Sequence, residues 1–126
     1  ELVIVRNIPF HSLCEHHMLP FRGVAHVGYV PGERLVGLSK LARVVETFAR
    51  DLQVQERLTQ QVCNYLTEQL SPRGVGVVLE AEHLCMTMRG AQAAGSMTTT
   101  TAFTGVLAKD NAMRRQFRLA GSDALA

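Results

Sequence analysis

Val75-Gly76-Val77-Val78-Leu79-Glu80-Ala81-Glu82-His83-Leu84-Cys85 is the stretch whose reading decides the fold. Val75, Val77, Leu79 and Ala81 are apolar and share one parity, which continues through His83, Cys85, Thr87 and Arg89. Side chains two apart on a strand point to the same face, so residues 75–89 read as the strongest strand of the chain. If it stays regular, His83 and Cys85 stand side by side, about 6.7 Å apart along it. The strand would carry apolar core at one end and chemically active side chains at the other.

The elements around this strand follow from periodicity. Residues 2–13 open on the β-forming run Leu2-Val3-Ile4-Val5, and Pro9 within them points to an edge or a bulge. Residues 21–30 alternate weakly and end at the turn signal Pro31-Gly32-Glu33-Arg34, which predicts an antiparallel hairpin with a long connection. A helix starts at Ser39, with Leu41, Val44, Val45, Phe48 and Leu52 on one apolar face. A second helix follows, its stripe made by Val54, Leu58, Val62, Tyr65, Leu66 and Leu70, and Ser71-Pro72-Arg73-Gly74 stops it. Cys63 in this helix reads as a small packing residue. Residues 96–107, led by Ser96-Met97-Thr98-Thr99-Thr100-Thr101, form a last strand, and a short helix from about Ala112 to Leu119 closes the chain.

The order is therefore ββααββ, an α+β fold with an antiparallel four-stranded sheet, two helices on one face and a short C-terminal helix. Neither a repeat nor a linker divides residues 1–126, which read as a single domain. Such a sheet leaves its second face and both edges uncovered. Further copies of the chain are the expected cover, so a ring-like oligomer is predicted.

A second chemically dense stretch, Ser12-Leu13-Cys14-Glu15-His16-His17, lies far upstream of Glu82-His83-Leu84-Cys85. Together the two hold two of the three cysteines and three of the five histidines. Zn²⁺ favours Cys sulfur and His nitrogen, and a catalytic zinc keeps three protein ligands with one open position. Cys14, His17 and Cys85 read as that set, which leaves His16 and His83 beside the metal to move protons. The plainer alternative is two buried apolar thiols, or a disulfide in a secreted protein, with histidines satisfied in the core or at the surface.

Two helix starts carry further candidates. Ser39, Lys40 and Arg43 cluster where free N–H groups and the helix dipole favour an anion, which reads as a phosphate site or as an ordinary capped, solvated helix start. Gln55 and Glu56 open the second helix. Glu56 either answers the helix dipole or accepts paired hydrogen bonds from neighbouring N–H donors, as on the edge of guanine. Arg89 either binds phosphate or pairs with Glu80 or Glu82.

Composition narrows the class. Hydrophobic residues make up 47% and charged residues 19% of 126, the balance of a globular protein with one real core. A net charge of +2, with no basic stripe interleaved with aromatics and no Trp, does not support nucleic-acid binding. No apolar run approaches the ~20 residues a membrane helix needs, and residues 1–10 do not resemble a signal peptide. Three cysteines leave one over after any disulfide, so a reducing, cytoplasmic setting is expected.

Four stretches, in order and in register, resemble the zinc-dependent type I GTP cyclohydrolases: Cys14-Glu15-His16-His17, Gly37-Leu38-Ser39-Lys40-Leu41-Ala42-Arg43, Gln53-Val54-Gln55-Glu56-Arg57-Leu58-Thr59, and His83-Leu84-Cys85 with Met88-Arg89-Gly90. The resemblance covers most of residues 10–107. It implies the tunnelling fold, with subunits assembled into barrels as a decamer of two pentamers and active sites between subunits. It also implies conversion of GTP and water to 7,8-dihydroneopterin triphosphate and formate, the first step of pterin and tetrahydrofolate synthesis. By motif, Cys14, His17 and Cys85 hold zinc. Glu56, with nearby backbone groups, anchors the guanine edge, the neighbouring Gln55 is a further substrate-binding residue, and Ser39, Lys40, Arg43 and Arg89 lie along the ribose and triphosphate. His83 protonates the imidazole nitrogen of guanine, and His16 is a second acid–base group. The family's N-terminal helical region is not in this sequence, so residues 1–126 correspond to the catalytic core. Ala91-Gln92-Ala93-Ala94-Gly95 is a less charged version of the family's loop. Two other readings are a non-catalytic member of the fold that binds a purine or pterin, and a reductase of the related deazaguanine-nitrile type. The second needs a nucleophilic Cys, whereas Cys14 and Cys85 are better used as ligands.

Overall fold

The structure, a computed structural model, describes residues 1–85 and 96–122. In chain order the elements are β1 (Val3–Cys14), β2 (Pro20–Val30), α1 (Leu38–Ala49), β3 (Leu52–Gln53), α2 (Gln55–Leu70), β4 (Gly74–His83), β5 (Thr98–Gly105), α3 (Val106–Lys109) and α4 (Asn111–Ser122). The sheet order is β3-β1-β2-β4-β5. The β1–β2, β2–β4 and β4–β5 pairs are antiparallel, as the ββααββ reading requires. The sequence reading missed β3, two residues that pair parallel with Leu13 and Cys14 and make a fifth strand.

Alternation decides which face of the sheet is core. Phe21, Ala25, Val27 and Tyr29 of β2 lie opposite His83, Leu79, Val77 and Val75 of β4, and all of these but His83 are buried. α1 packs over β1, and α2 over β4 and β5, closing a core with Leu41, Val44, Val45, Leu58, Val62 and Leu66. Pro9 sits in β1 opposite Val24, while the strand's other side meets a neighbour only at Leu13 and Cys14. Its missing N–H therefore falls on an edge. The bulge lies between Val5 and Ile8, where Asn7 adopts φ 60°.

Several expectations are corrected. The N-cap of α1 is Gly37, and Ser39 makes no side-chain capping bond. Leu52 belongs to β3 and is exposed, and Tyr65 is 37% exposed instead of lying in the buried stripe of α2. The long strand ends at His83, and Leu84 and Cys85 are already helical. The regular alternation that would have aligned His83 with Cys85 therefore breaks between them. Thr87, Arg89 and the 91–95 loop lie outside the described residues.

The second sheet face is partly covered, contrary to the expectation that it would be left open. α3 and α4 turn under it, and Leu107 and Phe117 form a small second core with Val30 and Val78. Phe117 meets Phe103 edge-on, with centroids 5.4 Å apart. Two glycines make the space: a Cβ on Gly76 would lie 2.5 Å from Phe117 Cζ, and one on Gly28 would lie 2.8 Å from it. Arg22, Thr99 and Thr101 on the remainder of this face stay exposed. No helix among the described residues is long and apolar enough to cross a membrane.

Candidate active site

The C-terminal ends of β1 and β4, the start of β2 and the start of α2 all lie at one end of the sheet, where β1 pairs with β3 and Phe21 pairs with His83. Chain segments distant in sequence therefore deliver their chemically active side chains to one region.

Cys14 is the last residue of β1 and is 8% exposed. The loop after it is tied back on itself: Cys14 N–H donates to Leu19 O at 2.9 Å, and Met18 N–H donates to Cys14 O at 2.8 Å. Met18 takes a left-handed φ of 55° to close this turn. The turn brings His17 Nδ1 to 3.8 Å from Cys14 Sγ and leaves the His16 and His17 rings edge to face, 6.3 Å between centroids. Both rings are exposed.

A second set of contacts fastens this loop to α2. Glu15 N–H donates to Gln53 O at 2.9 Å, and the Glu15 carboxylate accepts from Arg57. Arg57 also donates to Gln53 Oε1 at 3.2 Å and to Leu52 O at 2.9 Å. The Arg57 hydrogen bond holds the Glu15 carboxyl below its ordinary range, and the same bond raises Arg57. Buried Gln53 completes the junction, donating to Phe48 O at 2.9 Å and to Gln61 Oε1 at 2.8 Å.

His83 is the best-defined member of the group. Its ring stacks on Phe21, its cross-strand partner, at 4.7 Å and 4° between planes. Its Nε2 lies 2.6 Å from Gln55 Oε1. Burial lowers its pKa, with an opposing pull from the Glu56 carboxylate and a further push down from His17. Those two influences place Glu56 and His17 within electrostatic reach of the imidazole. Glu56 itself is exposed in the first turn of α2, free to meet a ligand.

Gln55 turns inward: its side chain is 2% exposed, its amide NH₂ meets Leu79 O, Thr98 O and Thr100 Oγ1, and its Oε1 meets His83.

The sequence grouped other residues that one chain does not bring together. Ser39, Lys40 and Arg43 are exposed near the start of α1, whereas the end of that helix approaches the junction, with Phe48 O bonded to Gln53. At 1.5 Å per residue, Ser39 is about 15 Å along the axis from Ala49. Cys85 does not complete a metal site with Cys14 and His17: no three His, Cys, Asp or Glu side chains among the described residues are grouped to hold an ion. Two of the three expected donors are in contact, and the third follows the strand's end, where the backbone has turned helical. All three cysteines are free thiols in this structure. Burial raises the Cys63 thiol, as befits a packing residue. A cavity of about 1080 Å³ runs along β1 and β2 beside Ser12, Arg22, Glu46 and Arg50, and none of the expected site residues among the described residues lines it.

Sequence reasoning missed the supporting residues Phe21, Gln53 and Arg57. Gln53 and Arg57 stood in a quoted motif, but their partners depend on the β1–β3 pairing. Phe21 depends on the β2–β4 register, which no local pattern shows.

Comparison with known proteins places the chain. The family model described as GTP cyclohydrolase I matches residues 1–120. GTP cyclohydrolase 1 of Gloeobacter violaceus is 58% identical over 117 residues, covering 93% of this chain and 55% of that protein. The enzyme of the same name from Campylobacter jejuni is 55% identical, covering 93% and 62%, and that of Dictyostelium discoideum is 54% identical, covering 93% and 50%. The chain thus spans half to about three-fifths of the length of these relatives. Among solved structures, the archaeosine synthase QueF-Like superposes with a TM-score of 0.64 at 16% identity, covering 82% of this chain and 93% of that one. Dihydroneopterin aldolase of E. coli superposes with a TM-score of 0.62 at 12% identity, covering 83% and 99%. At such identities the likeness concerns fold alone, and the fold is the tunnelling fold.

Proposed function

We propose, from the premise that this chain belongs to the GTP cyclohydrolase I family, that it is the catalytic core of a zinc-dependent GTP cyclohydrolase I. It opens the imidazole ring of GTP by hydrolysis and yields 7,8-dihydroneopterin triphosphate and formate. The observation that carries this reading is His83, fixed between Phe21 and Gln55 at the sheet end that also holds Glu56 and the Cys14–His17 loop.

Each residue has work suited to its place. The exposed Glu56 carboxylate accepts paired hydrogen bonds from the N–H donors on the pyrimidine edge of guanine, directing the five-membered ring toward the histidines. His83 gives a proton to the ring nitrogen that leaves as the C8–N bond breaks. His16, exposed beside the site, serves the later sugar steps, in which the opened ribose isomerises and closes onto the pyrimidine amine. Cys14 and His17, already in contact, would hold zinc together with Cys85. When bound there, zinc supplies hydroxide near neutral pH as the nucleophile at C8.

Ser39, Lys40, Arg43 and Arg89 take the ribose and triphosphate. The axial span of about 15 Å along α1 keeps its N-terminal cations away from the Cys14–His17 loop of the same chain. A second copy that brought these cations to the loop would put the active sites between subunits, as in a decamer of two pentamers. Free thiols suit a reducing cytoplasm.

With zinc present, the protein is expected to release formate from GTP and none from ATP, whose purine edge lacks the paired donors. Glu56→Gln should lower kcat/KM for GTP by ~10- to 1000-fold: one hydrogen bond to a charged group, worth about 1.5–3 kcal/mol, is lost to an amide NH₂ that faces a guanine donor, and the other weakens to a neutral bond. Formate release by Glu56→Gln at the wild-type rate would remove Glu56 from the site. Nucleotide binding without formate would make the protein a non-catalytic binder.

A further inference from the structure

We propose that Gln55 is a positioning residue that locks His83 in the tautomer protonated at Nε2, so that Nδ1 is the nitrogen that exchanges the proton with substrate. This deepens the reading of His83 given above and rests on it for its catalytic consequence.

The hydrogen-bond directions leave one arrangement. Gln55 Nε2 faces three acceptors: Leu79 O at 3.3 Å, Thr98 O at 3.0 Å and Thr100 Oγ1 at 3.0 Å. Two are carbonyl oxygens that cannot donate, so turning the amide over would set Oε1 against them. The third is fixed by a relay. Thr59 Oγ1 donates to Gln55 O at 2.8 Å, so its own oxygen accepts from Thr100 Oγ1 at 2.7 Å. The Thr100 hydrogen is thereby committed, and Thr100 Oγ1 accepts from Gln55. With the amide NH₂ so placed, Oε1 faces His83 Nε2 at 2.6 Å and can only accept. His83 Nε2 must therefore carry a hydrogen in both the neutral and the charged ring. Gln55 and Thr59 are 2% and 1% exposed, so water does not readily substitute for these partners. The Phe21 stack fixes the plane of the ring, and Gln55 fixes its rotation within that plane.

The test is a ¹⁵N–¹H correlation spectrum of the His83 imidazole, recorded at about pH 8 on metal-free protein, together with GTP kinetics on the zinc-loaded protein. Wild-type His83 should show a pyrrole-like Nε2 and a pyridine-like Nδ1. Gln55→Met, which fills the space without an acceptor, should bring both tautomers into view. It should also lower kcat about 10- to 100-fold with little change in KM, a smaller loss than removing the imidazole. Gln55→Glu, protonated on the oxygen that faces the Leu79 and Thr98 carbonyls, keeps an acceptor at Nε2 and should show the wild-type tautomer. If Gln55→Met does not fold, Gln55→Leu is the alternative: it too leaves Nε2 without an acceptor and should also mix the tautomers. A pyridine-like Nε2 in the wild type would overturn the proposal, and so would a Gln55→Met protein with unchanged tautomer and kcat. The spectrum stands without turnover, so a protein that released no formate would fail the functional reading while leaving the tautomer assignment separately decided.

Discussion

His83→Ala is expected to lower formate release from GTP by ~10²- to 10⁴-fold while zinc remains bound in full. That range is what a positioned acid–base group contributes. The imidazole is well suited to this task. It ends a core strand, stacks on Phe21 and hydrogen-bonds Gln55 through Nε2. Its pKa, lowered mainly by burial, favours the neutral ring at pH 7, which must take up a proton before it can give one to the departing nitrogen. Because His83 is not one of the three proposed ligands, zinc content separates loss of chemistry from loss of the site. Turnover that survived in a zinc-loaded His83→Ala protein would show that another group donates the proton.

Cys85→Ser is expected to lose both bound zinc and formate release, while Cys63→Ser keeps both. A serine hydroxyl is not ionised near neutral pH and is a far poorer zinc ligand than a thiolate. Cys85 lies just beyond β4 and is half-buried, so the change should leave the core intact, as circular dichroism and thermal melting would show. Cys63 is fully buried within α2, and its loss should cost only packing. This pair of variants addresses the step the structure leaves open, since Cys14 and His17 are in contact and Cys85 stands apart from them. Stoichiometric zinc in Cys85→Ser would assign the third ligand elsewhere.

The fold was legible because its elements are amphipathic over long spans. Val75, Val77, Leu79 and Ala81 announced a strand facing a core, and the stripe from Leu58 through Val62 and Leu66 to Leu70 announced α2. Reading failed where local pattern and tertiary context diverge. Two residues cannot display a period, so β3 was invisible and Leu52 was assigned to the face of α1. Parity alone carried the long strand past His83, although nothing in alternation says where a backbone turns helical. The covering of the second face depended on small residues: Gly28 and Gly76 had to be seen as the space for Phe117, a contact between elements far apart in sequence.

For the site, the sequence supplied candidate residues and roles by motif, while the packing around them depends on tertiary pairing. Cys14 and His17 meet at the end of β1, and His83 ends β4 at the same end of the sheet. Gln55, adjacent to Glu56, faces inward because it is buried against β4 and β5, where the carbonyls of Leu79 and Thr98 take its amide hydrogens. The Arg57–Glu15 pair was unreadable for the same reason as β3, since it exists only because Gln53 lies beside Cys14.

The central claim is that these segments form a zinc-dependent site for opening the guanine ring. Its most direct test is ¹³C NMR of the reaction with GTP labelled at C8. The account predicts that the label leaves as formate when the protein carries zinc, stops doing so when a chelator removes the metal, and resumes when zinc is restored. Label retained in an intact purine by the zinc-loaded protein would contradict it.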